Sequence, residues 1–597
     1  MKLPSPGFLL HALWQACRRF PGTMVCAIAA VAAVFELIGA SDMARENSLV
    51  RLWLPFQLGL PLMTGLVALS ESKGWDEKRG WLMQGLGLVV LAGCWFLFDP
   101  SQPSFEYLGL PRYFTLLFVA HLFVAIAPYV NVRSVRDFWE YNRELFAHII
   151  IGGVFTLILF AGLSLAILAV DQLFDINIQE RVYIRLFVLL AGVFNTAYFL
   201  FHFPKRYEFA EADAGYNAVF KNLCKFILIP IVLLYFLILY AYGTKILITW
   251  NLPRGWVSSL VLGFSVAGIF TYLLNFYLPQ YDESAHVRGY KKWFWWVVLP
   301  LTVLLFVAIG KRIGDYGVTE GRFLVAHLGV WLAVTCLYFL FSKHDNIKFI
   351  PISLALFGAV FAFGPLSAFK VSVRSQAGIL ENLFEKNGRW KDGRLVQGAS
   401  DVPPEEVAQI SSALRFLHQR DALRRMSWLP MPLDSFPNVI SAYDAAEQIM
   451  AWASIQSKEQ KRKPAFLNVV VPAPLLTADI RGFDYFHQID LYPRTNEKPK
   501  AGDFFGISDN QKAFEWKEVR AGNVSLVESF DLQPALRQWW EKGQHTGYLE
   551  LDASHSTLNF AGKKGSLRLL LQDADVRKEN DTLSLRHLKG YLFVKRK

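Results

Sequence analysis

The densest run of residues able to do chemistry lies between Lys311 and Arg322, where Lys311, Arg312 and Arg322 enclose Asp315 and Glu320. Arginine offers a planar fork of N–H donors that fits phosphate and carboxylate oxygens. The block is therefore a candidate site for an anionic lipid headgroup or a glycan-linked phosphate. In that reading Asp315 and Glu320 orient the arginines, and Lys245 and Arg254 fall at the same membrane face. The competing reading is a salt-bridged loop that docks onto the C-terminal domain, because mixed-sign clusters commonly satisfy one another.

Few other residues qualify. His121 sits near the middle of an apolar run, Glu36 lies toward the outer end of another, and Asn195 and Asn275 are amides within such runs. An ionisable group inside a bilayer is a functional candidate by default. His121 is a candidate proton relay, or a hydrogen-bond partner for a neighbouring helix. No Asp or Glu pair stands mid-span, which counts against a proton- or sodium-coupled carrier. The GKKGS run at Gly562 to Ser566 lacks the upstream glycine of a phosphate-binding loop. His418, His487, His545, His555 and His587 are scattered without metal-ligand spacing, so neither a metal nor a cofactor is expected. Trp539-Trp540 beside Glu541 suits sugar stacking or, more ordinarily, core packing.

The elements that carry these residues are set by composition. Of the 597 residues 53% are hydrophobic, above the ~45–50% of soluble domains. The excess is concentrated before residue 370. About eleven runs there are long enough to cross a bilayer as helix, the first from Pro21 to Gly39 and the last from Phe349 to Phe369. Phe8 to Phe20 precedes them as an interfacial helix rather than a cleaved signal. The expected fold is a polytopic α-helical membrane domain over residues 1–369, followed by a soluble α+β domain over 370–597. In the latter, Pro403-Pro404 with Glu405-Glu406 marks a helix start, and Asn438 to Ser454 reads as a second helix. Leu467 to Val471, Tyr548 to Leu551, Leu558 to Phe560, Leu567 to Leu571 and Gly590 to Val594 read as strands of a mainly antiparallel sheet.

Basic residues recur in every second connection: Arg18 and Arg19, then Lys73, Lys78 and Arg79, then Arg133, Arg136 and Arg143. Lys205, Arg206, Lys221 and Lys225 follow, then Arg288, Lys291 and Lys292, then Lys343 and Lys348. The positive-inside rule puts these connections and the N-terminus in the cytoplasm. An odd number of spans then leaves the C-terminal domain outside. Pro351 and Gly364-Pro365 make the last span the weak one; if it is re-entrant, the C-terminal domain is cytoplasmic. The net charge of +11 is thus spent on orientation, and with no aromatic-basic stripe nucleic acid is not an expected partner.

Three ordered blocks carry a family resemblance. They read WNLPRGWVSSLVLGFSVAGIFTYLLN from Trp250, KRIGDYGVTEGRF from Lys311, and IKFIPISLALFGAVFAFGPLSAFKVSVRSQ from Ile347. The chain resembles the bacterial multi-pass membrane proteins catalogued as domain of unknown function 4153. The resemblance implies a bacterial cytoplasmic-membrane protein and supplies no reaction, ligand or catalytic residue. Two functions stay open. One is an envelope binding or accessory protein whose outer domain holds a partner protein or an anionic polymer; this is the reading the sequence favours. The other is a transporter or lipid-handling protein whose bundle forms a path. Membrane lipids are partners in both, and the nature of the cavity in the bundle discriminates between them.

Overall fold

The computed structural model describes residues 6–40, 42–130, 134–209, 216, 218–249, 256–342, 345–398, 401–435, 441–455, 466–471, 481–492, 502–508, 510–520, 523–543, 548–552, 555–579 and 582–597. The chain divides into two compact units. The first takes residues 1–400 and 408–455, the second 401–407 and 456–597.

The first unit is helical because its apolar runs must satisfy their own backbone groups in lipid. Its opening helices are α1 (Pro6–Arg19), α2 (Pro21–Leu37), α3 (Met43–Ser72), α4 (Glu77–Leu97) and α5 (Leu110–Ile126). Then come α6 (Val135–Phe174), α7 (Glu180–Leu189) and α8 (Asn195–Phe201), the last two joined through a π-helical turn into one span. Next are the short α9 (Ala218–Asn222), α10 (Ile229–Thr249), α11 (Trp256–Asn275), α12 (Ala285–Tyr316) and α13 (Glu320–Phe341). Among the described residues, nine helical stretches are long and apolar enough to cross a membrane. The bent pair α1–α2, turned by 114°, raises this to ten if it is one span. A separate helix thus precedes α2, where the sequence also places one.

Polar contacts at one end show how the spans alternate. Arg19 grips Glu71 at 2.7 Å, closing α2 and α3. Lys73 Nζ donates to the Val130 carbonyl at 2.8 Å, closing α4 and α5. The Phe209 N–H donates to Asp137 at 3.2 Å across α6 to α8. Lys225 meets Asp282 at 2.9 Å across α10 and α11, and Lys291 faces Asp345 at 3.9 Å across α12 and α13. Each contact ties residues separated by two spans, so the chain returns to this end after every hairpin. The cations are those that recur along the sequence.

The eleventh run behaves differently. It forms α14 (Phe349–Ala362), which is shorter than a full span. Gly364, at φ +86°, and Pro365 after it end the helix early. Yet α14 runs from one end of α13 to the other: Phe349 stacks on Tyr338 at 4.0 Å, and Phe361 lies 6.1 Å from Phe323. The amphipathic α15 (Ala368–Lys386), the small β1–β2 hairpin (Trp390–Lys391 and Arg394–Leu395), α16 (Pro404–Gln419) and α17 (Ala442–Trp452) follow.

The compact division therefore falls near residue 455 and not at 369/370. The physical reason is polar anchoring. Gln376 Nε2 donates to the carbonyls of Tyr316 and Val318. Arg389, fully buried, donates to the carbonyls of Asn387, Gly398, Ala453 and Ser454 and so pins the ends of α15 and α17 together.

The second unit is built on β3 (Phe466–Val470), β4 (Tyr485–Leu491), β5 (Gly502–Ile507), β6 (Ala513–Arg520) and β7 (Asn523–Asp531). Helix α18 (Gln533–Gly543) and strands β8 (Tyr548–Glu550), β9 (Thr557–Ala561), β10 (Gly565–Glu579) and β11 (Thr582–Arg596) complete it. The main sheet runs β4-β11-β10-β3-β8, with β9 also on β10, and β5-β6-β7 form a separate antiparallel sheet. All described pairings are antiparallel except β3 with β8. Leu467, Val469, Leu569, Leu571 and Leu585 fill the core, joined from α18 by Leu536, Trp539 and Trp540. The tryptophan pair is thus core packing, and the α+β character read from the sequence holds.

Candidate functional site

The Lys311–Arg322 block spans the end of α12 and the start of α13. Gly317, at φ +68°, stops α12. Arg322 then folds back and donates to the carbonyls of Tyr316 and Gly317, both at 2.8 Å, capping that helix end. The Val318 N–H donates to Ser375 Oγ at 2.9 Å. Glu320 accepts from Arg420 Nε at 2.6 Å and Nη2 at 2.9 Å. Glu320 thus orients Arg420, because the first turn of α13 faces the end of α16. Lys311, Asp315 and Lys245 are exposed. Arg254 lies outside the described residues.

The intramembrane polar residues are dispersed. His121 is exposed on the bundle surface, and its Nδ1 meets the Leu117 carbonyl of its own helix at 2.7 Å, not a neighbouring helix. Glu36 pairs with Arg45 at 2.7 Å. Asn195 packs its Oδ1 where a Cβ on Gly152 would come within 2.6 Å, so α6 and α8 approach closely there. Asn275 is fully buried and donates to the Val287 carbonyl at 3.0 Å, bridging α11 to α12.

A cleft between α5, α6, α11, α13 and α14 does bring residues together. Its volume is about 630 Å³ and its wall is almost wholly apolar. Ile350 to Phe361 of α14 line its length; at 1.5 Å per residue that is about 16 Å, close to one leaflet of a ~30 Å hydrocarbon core. At one end stand Trp139, Asn142 and Arg143, at the other Leu324, His327 and Phe361.

The polar groups in this wall are already engaged. Trp139 Nε1 donates to the Leu273 carbonyl and Asn142 Nδ2 to the Phe138 and Ala125 carbonyls. Arg143 pairs with Glu140 at 2.7 Å. His327 Nε2 meets the Phe357 carbonyl at 2.9 Å, Trp331 donates to Ser353 Oγ, and Thr115 donates to the Pro111 carbonyl. His327 was not singled out in the sequence, although a histidine inside the run from Phe323 to Phe341 was signal enough. The cleft itself has no sequence signature, since its wall residues are those of any buried helix face.

In the second unit, His587 bridges Asp490 at 2.8 Å and Asp573 at 3.1 Å, with the Tyr492 ring stacked on it at 4.5 Å. Adjacent strands β4, β11 and β10 place these side chains. Nearby Asp575 is held above the usual carboxylate range, first by burial and then by the Asp573 charge. No described group of His, Cys, Asp or Glu could hold a metal ion.

Residues 23–377 match a family described as Domain of unknown function (DUF4153). The chain belongs to this family. The match takes in α2 through the first half of α15, the cleft included. A curated relative, "Uncharacterized protein PM1469" of Pasteurella multocida (strain Pm70), is 28% identical over 180 residues. That stretch covers 30% of this chain and 30% of the relative. No solved structure matches the chain.

Proposed function

We propose that this DUF4153 protein is a lipid-handling protein of the bacterial cytoplasmic membrane that admits a lipid chain into the cleft between α5, α6, α11, α13 and α14. One observation carries the reading: a cleft about a leaflet deep whose wall is apolar and whose polar groups already have partners. An ion or sugar path needs convergent polar groups with spare hydrogen-bonding capacity. An acyl or prenyl chain needs only apolar area, and burying it follows ordinary transfer energetics. The lipid-handling alternative is therefore favoured over anchoring alone. The basic end is assigned to the cytoplasm by the positive-inside rule, which puts residues 368–455 on the outer face.

The envelope-accessory role keeps one support of its own. The second unit closes a separate core around Leu467, Leu569 and Trp539, as a binding module does. In this reading it works on an envelope component while the helical unit holds lipid.

The test is native mass spectrometry of the purified full chain. Wild type should retain lipid. Leu328→Trp and Leu354→Trp, which fill the cleft from α13 and α14, should fold and lose it. Equal retention by both variants would remove the cleft as the lipid site.

A further inference from the structure

Arg112 lies in the first turn of α5, and Thr115, one turn on, lines the cleft. Its guanidinium sits over the Phe369 ring at 4.5 Å, and Phe369 in turn packs against Phe361 of the cleft wall at 5.9 Å. Its Nε is buried and has no hydrogen-bond partner. Among the described residues no carboxylate pairs with it.

A buried N–H of a charged group left without an acceptor is costly. The ring face below compensates in part through its quadrupole, but a ring accepts no in-plane hydrogen bond from the guanidinium edge. The neighbours do not help. Arg322 spends its donors on the carbonyls of Tyr316 and Gly317, and Glu320 is taken at both oxygens by Arg420. Arg420 also lies over the Tyr107 ring at 5.3 Å, so it stands beside the turn that leads into α5. Of these cations it is Arg112 that has a buried N–H without an acceptor.

We infer that Arg112 binds the phosphate of a membrane phospholipid whose chain occupies the adjoining cleft. The inference rests on the lipid-handling reading and adds the headgroup. A guanidinium edge presents parallel N–H donors at the spacing of two phosphate oxygens. Arg112 stands one turn from Thr115 of the cleft wall and reaches Phe361 of that wall through Phe369, which is where a headgroup lies when its chain enters the cleft. This places the anion contact on Arg112 instead of on the Arg312 and Arg322 of the neighbouring loop.

The experiment uses the full chain in detergent with two probes of identical chains, phosphatidylglycerol and diacylglycerol, scored by native mass spectrometry. Wild type should prefer phosphatidylglycerol by about tenfold, the scale of one charge-assisted hydrogen bond. Arg112→Gln should lose that preference while still holding diacylglycerol, and Arg112→Lys should keep part of it. An unchanged preference in Arg112→Gln overturns the headgroup assignment and leaves the cleft reading standing. Failure of wild type to hold either probe overturns the cleft reading instead. Inorganic phosphate should not displace phosphatidylglycerol, because the chain anchors it; displacement would overturn a lipid as the occupant.

Discussion

Arg420 holds Glu320 by both carboxylate oxygens, joining the end of α16 to the first turn of α13. The two side chains are only 10% and 16% exposed, so the pair is shielded from water. Removing one partner of such a pair strands a charge, at a cost of about 3 kcal/mol. Glu320→Arg and Arg420→Glu should each lower the melting temperature markedly. The double swap should recover more than half of the loss, because the effects of residues in contact are coupled. Thermal unfolding of the four proteins in detergent measures it; two additive losses would mean the pair does not couple.

Arg389 is the second anchor. It is fully buried and donates to four backbone carbonyls around α15, the β1–β2 hairpin and α17. Arg389→Met should leave those acceptors unsatisfied and cost at least about 2 kcal/mol. The loss should be local. Hydrogen exchange should rise over 387–398 and 441–455 while the membrane helices stay protected. A uniform change across the chain would contradict this role.

The sequence made the spans legible because lipid imposes length and apolarity together. The apolar runs between the first, Pro21 to Gly39, and the last, Phe349 to Phe369, return as helices. The ends of the series were harder. At Pro21 the bend from α1 depends on how Arg19 reaches Glu71 and the carbonyls of Phe203 and Pro204, contacts distant in sequence. Strands β9, β10 and β11 were readable from the apolar runs Leu558 to Phe560, Leu567 to Leu571 and Gly590 to Val594. Strands β5 to β7 were not; in β6 the register shift between Trp516 and Lys517 breaks the alternation. The candidate site was least legible of all. Arg112 carries no motif, and its meaning comes from Phe369 and from a cleft made by five separate helices.

Burial of two histidines sets a pH dependence. Burial pushes His418 down, with Arg424 adding to it, and burial alone pushes His487 down beside the Phe505 ring. The unfolded chain then binds more protons than the folded one below about pH 6.5. Stability is fully present above that value and falls as the pH drops through the window beneath it. Asp575, raised by burial, works in the opposite sense but nearer the carboxylate range. The melting temperature should therefore decline from about pH 7 to about pH 5, and His487→Gln should flatten the decline. An unaltered slope in that variant would show that His487 does not contribute.

Helix α14 decides the side on which the rest of the chain lies. Its 14 residues span about 21 Å as helix, short of a ~30 Å hydrocarbon core. A short helix can still cross where the bilayer thins around it, at a cost of fractions of a kcal/mol per Å. The bundle supplies the means: α14 packs along α13 from Tyr338 to Phe323, and its backbone meets His327 at Phe357. A re-entrant segment would bring Phe361 back to the level of Phe349, which these contacts do not allow. Reporter fusions after Asp345 and after Lys386 test the point directly. Alkaline phosphatase should be inactive at the first position and active at the second, and active again after Lys597, with a cytoplasmic reporter giving the mirror pattern. The same response at Asp345 and Lys386 would make α14 re-entrant and return the C-terminal region to the side of the basic connections.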